Sequence, residues 1–136
     1  MPRIAAIDFG LKRIGIAVSD IQKKMAFPHA TVEGGRNGAA NTVASLKGKQ
    51  SEIEKIVIGM PLLMNGKKGE MAEKVEQFGK ELQEILHIPI EFYDERLSSK
   101  MAENELRGLS LNRKQRQEKS DVTAATLLLE SYLAKN

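Results

Sequence analysis

The order of periodic segments predicts an α/β fold: a mixed five-stranded sheet, three strands antiparallel and then parallel, flanked by helices. Two observations carry this. Three short apolar runs near the N-terminus, residues 3–8, 13–19 and 26–32, are joined by tight turns of the kind that link antiparallel neighbours. Two later apolar runs, residues 55–60 and 90–93, are each preceded by a helical stretch, as in parallel crossover connections. No repeat, low-complexity tract or linker divides the 136 residues, so one domain over 1–136 is expected.

Residues 3–8 (RIAAID) read as a short buried strand and 13–19 (RIGIAVS) as its alternating neighbour, with FGLK as the turn. Pro28 cannot donate to a sheet ladder, which places 26–32 (AFPHATV) at an edge. Gly34, Gly35 and Gly38 open a loop, after which a helix over 39–51 is expected. KIVIGM (55–60) is β-branched and ends at Gly59 and Pro61, a buried strand. LLMNGKKG (62–69) carries an Asn-Gly turn signal. Val75, Phe78, Leu82, Ile85 and Leu86 then recur at helical spacing over 70–86. IEFY (90–93) follows Pro89 as the last strand. A short helix over 99–106, a basic loop over 107–119 and an apolar helix over 121–134 complete the reading.

Composition narrows the chemistry. Without cysteine there is no thiolate nucleophile, thiolate metal site or disulfide framework. His29 and His87 are far apart, with no zinc-ligand spacing. No apolar run approaches the roughly 18 residues of a membrane span, and Asp8 interrupts the N-terminal apolar stretch, so a cytoplasmic protein without a membrane partner is expected. The net charge of +3 is unevenly spread. RGLSLNRKQRQEK (107–119) holds five basic residues and one acid, a net of +4. The remaining 16 basic and 17 acidic residues leave the rest at −1. Clustered Lys and Arg on a near-neutral body suit a polyanion such as nucleic acid. A solvated loop with no partner would look the same.

Three acidic sites lie beside buried elements. Asp8 ends the first strand, which this element order puts near the centre of the sheet. Asp94-Glu95-Arg96 follows the last strand, and Asp121 stands at the edge of the closing apolar helix. Each has an ordinary explanation: an Asx turn for Asp8, a surface ion pair for the DER triplet, a helix cap for Ser120-Asp121. If the three converge, a cation must offset their repulsion, and Mg²⁺ or Mn²⁺ is the hard, oxygen-seeking choice. A pair of such ions about 4 Å apart supports phosphodiester hydrolysis without a His, Cys or Ser nucleophile.

Four stretches taken together, IDFGLKRIGIAVSD, GMPLLMNGKKGEMAEKVEQFGKEL, YDERLSSKMAENEL and EKSDVTAATLLLESYL, resemble the YqgF family, also called RuvX, in register over essentially the whole chain. The resemblance implies an RNase H-like fold related to RuvC-type Holliday-junction resolvases. It also implies a nuclease processing the 5′ end of precursor 16S ribosomal RNA in ribosome biogenesis, with Asp8, Glu95 and Asp121 as catalytic metal ligands. This chain departs from resolvases in two places. Their second acid lies near the end of the fourth strand, where Gly59-Met60-Pro61 stands here, so Glu95 must reach in from the next strand. Their last helix tends to carry two acids, and here there is one near its expected start.

Cations near these positions are candidate substrate ligands. Lys12 and Arg13 adjoin Asp8, and Arg96 adjoins Glu95. Lys67 and Lys68, with backbone N–H groups at a helix start, would form a phosphate cradle, and Arg113, Lys114 and Arg116 lie in the basic segment. The 62–69 and 107–119 segments are expected to be mobile and to grip substrate. Aromatic residues number only six and fall mostly on core faces, so no base-stacking platform is evident. RNA is the favoured partner and structured DNA the next, with the chain a monomer or weak homodimer. A non-cleaving RNA-binding factor is the alternative from another class. A two-domain actin-like or sugar-kinase-like ATPase is not expected, since 136 residues leave little room for a second domain; failure to bind ATP would remove it.

Overall fold

The computed structural model describes residues 2–63, 65–94 and 113–135, with side chains in the last helix from residue 124 onward. Five strands form one sheet: β1 (Arg3–Asp8), β2 (Arg13–Ser19), β3 (Ala26–Glu33), β4 (Ile53–Met60) and β5 (Ile90–Asp94). The helices are α1 (Gly38–Ser45), α2 (Glu70–Leu86) and α3 (Arg113–Lys135), with 3₁₀ turns at Gly35–Asn37 and Gln50–Glu52.

The strand order is β3-β2-β1-β4-β5, so β1 is the middle strand. It pairs antiparallel with β2 and parallel with β4, and β5 adds parallel to β4. The expected mixed topology is therefore present. β3 is an edge strand, as Pro28 required, and its register slips where Ile16 faces Ala30 but Ala17 faces Pro28. That slip leaves His29 over, and its Nε2 lies 2.7 Å from the Ser45 carbonyl oxygen at the end of α1.

Alternation along the strands divides the core in two. On one face Ile7, Ile14, Ile16, Ile56 and Ile58 pack with Leu46 and with Val75, Phe78 and Leu82 of α2. On the other, Ile4, Ala6, Ala17, Val57 and Tyr93 pack with Ala125, Leu128, Leu129 and Tyr132 of α3. Each fully buried Ile or Leu contributes about 1.5–3 kcal/mol of transfer free energy. The α2 face holds more of these large side chains than the α3 face. The small residues on the other face let α3 lie close across β1, β2 and β3.

Besides one-residue extensions of β3, of the start of α1 and of the end of α3, four boundaries differ from expectation. α1 stops at Ser45 rather than 51, and Gly48, at φ +87°, turns the chain soon after. β4 begins two residues earlier, at Ile53, and β5 runs one further, pairing Asp94 with Met60. α3 begins at Arg113, so Arg113, Lys114 and Arg116 lie on a helix and not in a loop. Asp121 consequently sits well inside α3 and cannot be its cap. The expected helix over 99–106 and the part of the basic segment before Arg113 lie outside the described residues. Among the described residues no helix is long and apolar enough to cross a membrane.

Candidate functional site

The C-terminal ends of the parallel strands β1, β4 and β5 share one edge of the sheet, and the β1–β2 turn and the segment after β4 gather there too. Open α/β sheets place ligands at such an edge. Asp8 is the last residue of the middle strand and is half-buried. Its partner across β2 is Gly15. On β4 the pair Ile7–Ile58 puts Gly59 next in line. Gly15 and Gly59 are both buried, so a carboxylate is flanked on both neighbouring strands by backbone without side chains. Sequence reasoning missed this pair, since each glycine looks like an ordinary interruption in a strand.

Asp8 lies on the α3 face. Ala6, two residues earlier, belongs to the α3-side core, whereas Ile7 belongs to the α2 side. The turn that follows is pinned. The Phe9 ring packs on Phe78 of α2 with centroids 4.7 Å apart. A Cβ on Gly10 would run into the Arg13 carbonyl oxygen. One on Gly34 would lie 2.7 Å from the Gly10 carbonyl oxygen and 2.8 Å from that of Leu11. The Gly34 N–H donates to the Lys12 carbonyl at 2.8 Å. Backbone thus packs on backbone around the turn, which fixes where Asp8 stands.

The neighbouring acids divide by face. Asp94 pairs with Met60, and Met60 belongs to the α2-side core, as Ile58 does opposite Phe92. Asp94 is therefore on the sheet face opposite Asp8, while Tyr93 shares the face of Asp8. Strand alternation does separate Asp94 from Asp8, because β5 extends through residue 94. Glu95 and Arg96 lie outside the described residues. The α3 backbone places Asp121 four residues before Ala125, on the helical stripe continued by Leu128 and Tyr132. Its side chain, like those of Arg113, Lys114 and Arg116, is not among the described ones.

Of the candidate phosphate ligands, Lys12 and Arg13 are exposed at the β1–β2 turn, on the same edge as Asp8. Of the 62–69 segment, the described residues 62, 63 and 65–69 close as a small hairpin rather than an open loop. Leu62 bridges Lys68, the Leu63 N–H donates to the Lys67 carbonyl at 2.9 Å, and Gly66 turns the chain at φ +82°. Lys68 Nζ donates to Glu76 Oε2 at 2.8 Å, and Glu70 and Glu73 occupy the first turn of α2. These acids compete with a phosphate for that helix start. Lys67 remains exposed at the hairpin tip.

A second polar group on the α3 face lies away from this edge. Lys55 Nζ donates to Glu91 Oε1 at 3.1 Å and to the Tyr132 hydroxyl at 2.9 Å, and that hydroxyl donates to Glu91 at 3.0 Å. The Tyr132 and Glu91 hydrogen bonds raise the Lys55 pKa. Partial burial pushes the Glu91 carboxyl up, but the Lys55 and Tyr132 bonds outweigh it and hold Glu91 below its ordinary range. The group joins α3 to β4 and β5.

Among the described residues, which include Asp8 but not the Glu95 or Asp121 side chains, no group of three His, Cys, Asp or Glu side chains is placed to hold a metal ion. The donor chemistry fits a hard divalent cation: Asp8 offers carboxylate oxygens beside two side-chain-free positions, under the helix that carries Asp121.

A family model described as "RuvX: Holliday junction resolvase" matches residues 2–135. A protein of Protochlamydia amoebophila named "Putative pre-16S rRNA nuclease" is 41% identical over 138 residues, covering 96% of this chain and 92% of that protein. One of the same name from Syntrophomonas wolfei is 44% identical over 133 residues, covering 96% and 93%. Among solved structures, T. thermophilus RuvC in complex with a Holliday junction substrate matches with a TM-score of 0.59 at 17% identity, over 100% of this chain and 97% of that one. Fowlpox virus resolvase with Holliday junction DNA matches with a TM-score of 0.57 at 14% identity, over 98% and 97%. These two likenesses establish the fold, which is RNase H-like.

Proposed function

This chain belongs to the RuvX family, and from that premise we propose that it is a divalent-metal-dependent nuclease that hydrolyses phosphodiester bonds, with the 5′ end of precursor 16S rRNA as its substrate. One observation carries the reading: Asp8 ends the middle strand on the face covered by α3, flanked by Gly15 and Gly59. The relatives named for pre-16S rRNA support RNA as substrate.

Asp8, Glu95 and Asp121 would hold Mg²⁺ or Mn²⁺. When bound, such ions activate a water and stabilise the leaving oxygen. Asp8 supplies the central carboxylate, held by the pinned Phe9-Gly10 turn. Strand alternation continued past Tyr93 would return residue 95, not Asp94, to the face of Asp8. That favours Glu95. Two strand spacings, about 10 Å, separate β1 from β5, and the bare Gly59 position between them keeps the gap open. Lys12 and Arg13 bind the phosphate backbone beside the scissile bond, with Lys67 a further contact. Arg96 and the cations at the start of α3 extend the track, and Lys68 joins it only by releasing Glu76.

The test compares wild type with Asp8→Asn on a labelled precursor-rRNA 5′ fragment and on a four-way DNA junction, each with Mg²⁺, Mn²⁺ or EDTA. Metal-dependent cutting of the RNA that Asp8→Asn abolishes is expected. Preferential cutting of the junction would transfer the assignment to a resolvase, the activity in the family description. RNA binding without any cutting would make the chain a non-cleaving binding factor.

A further inference from the structure

On the opposite face of the β1–β2 turn from Asp8 lies a cavity of about 290 Å³ between that turn, the 3₁₀ turn Gly35–Asn37 and α2. Its floor is apolar: Phe9 and Phe78, 4.7 Å apart, with Ala39. Leu11 stands at its rim, 52% exposed. Two exposed cations, Arg36 and Lys74, line it with a single carboxylate, Glu81. Glu81 accepts a long 3.5 Å hydrogen bond from the Gln77 amide.

We propose that this cavity takes one unstacked nucleotide of the substrate strand, a neighbour of the nucleotide at Asp8, and that it prefers guanine. The volume is at the small end for ligand sites, enough for one base and its sugar. The aromatic floor suits a base face, because stacking on an aromatic ring is sequence-tolerant. Arg36 and Lys74 match the phosphate charge. The preference comes from Glu81. A carboxylate accepts two parallel N–H bonds from the adjacent N1–H and N2–H groups of guanine, whereas adenine offers no such pair. Phe9 follows Asp8 directly, so a strand crossing the turn past Lys12 and Arg13 reaches both places.

This subsite rests on the nuclease reading for its biological use, but binding can be tested without cleavage. Backbone amide NMR would follow titration of metal-free Asp8→Asn protein with GMP, AMP, dGMP and inorganic phosphate. GMP is expected to shift amides of Leu11, Gly35, Arg36 and Lys74 at lower concentration than AMP. Arg36→Glu and Lys74→Glu, both surface changes, are expected to weaken GMP about tenfold, and Phe9→Leu about five- to hundredfold. Glu81→Gln should erase the GMP-over-AMP preference. Equal binding of dGMP would extend the subsite to DNA; weaker binding would assign it to RNA. Shifts produced equally by inorganic phosphate, or shifts elsewhere on the surface, would overturn the proposal. GMP bound here with no RNA cut by wild type would sink the nuclease reading and leave the subsite. RNA cut with these amides unmoved would do the reverse.

Discussion

The two faces of the sheet are built for different ends. Under α2 the strands present Ile7, Ile14, Ile16, Ile56 and Ile58 to Val75, Phe78 and Leu82, a large apolar interior. Under α3 they present Ala6 and Ala17, with Gly15 and Gly59 beside Asp8; the interior includes the Tyr93–Ser131 hydroxyl pair, 2.8 Å apart, and the partly exposed Lys55–Glu91–Tyr132 group lies at its margin. Side-chain bulk on the first face sustains the fold. Its absence on the second leaves room for α3 and for whatever Asp8 holds. The residue type that weakens a core is the one a cleft requires.

Substitutions can break this contrast. The largest stability loss is expected from Leu82→Ala, about 2–5 kcal/mol by denaturant unfolding, with cutting per folded molecule unchanged. Loss of activity ahead of stability would show that the α2 face is not merely structural. Next comes Gly10→Ala, whose new Cβ meets the Arg13 carbonyl. It should cost about 1–3 kcal/mol and lower the cutting rate further than that loss of folded protein explains. A mild rate effect would mean that the turn does not position Asp8.

Glu91→Gln is expected to cost under about 1 kcal/mol, because Lys55 and Glu91 are 36% and 40% exposed and solvent screens them. The difference should depend on pH. Glu91 titrates lower folded than unfolded, so its contribution is complete above about pH 4.3 and fades as pH falls through the depressed value. Lys55 titrates higher when folded, so its share is complete below about pH 10.4 and fades as pH rises through the elevated value. Thermal unfolding of both proteins from pH 2 to 11 would trace this plateau, and a flat difference throughout would contradict it. The smallest effect belongs to Lys68→Ala, within about 0.5 kcal/mol, since its pair with Glu76 is surface-exposed. A larger loss in calorimetry would mean that the Lys68–Glu76 pair holds the hairpin onto α2.

How much of this was legible from residues alone depended on the physical signal. β1, β2 and α2 were readable to their end residues because alternation and helical spacing are strong there, and the tight turns gave the sheet its mixed topology. The start of α3 was not readable. RKQRQEK consists of good helix formers with no apolar stripe, so nothing in its periodicity separates helix from solvated loop. The face on which Asp94 lies is known only from its pairing with Met60. The importance of Gly15, inside one strand, and Gly59, near the end of another, was not readable, because the space a glycine leaves is defined only once its neighbours across the sheet are known. The aromatic-floored cavity escaped for the same reason, since Phe9 and Phe78 are distant in sequence.

The central claim is that Asp8 anchors a metal centre between Gly15 and Gly59. Its most direct test is Mn²⁺ titration followed by paramagnetic broadening of backbone amides. In wild type the Gly15 and Gly59 amides are expected to broaden first, and in Asp8→Asn they should persist at the same Mn²⁺ concentration. Broadening that begins at surface carboxylates and is indifferent to Asp8→Asn would contradict the account.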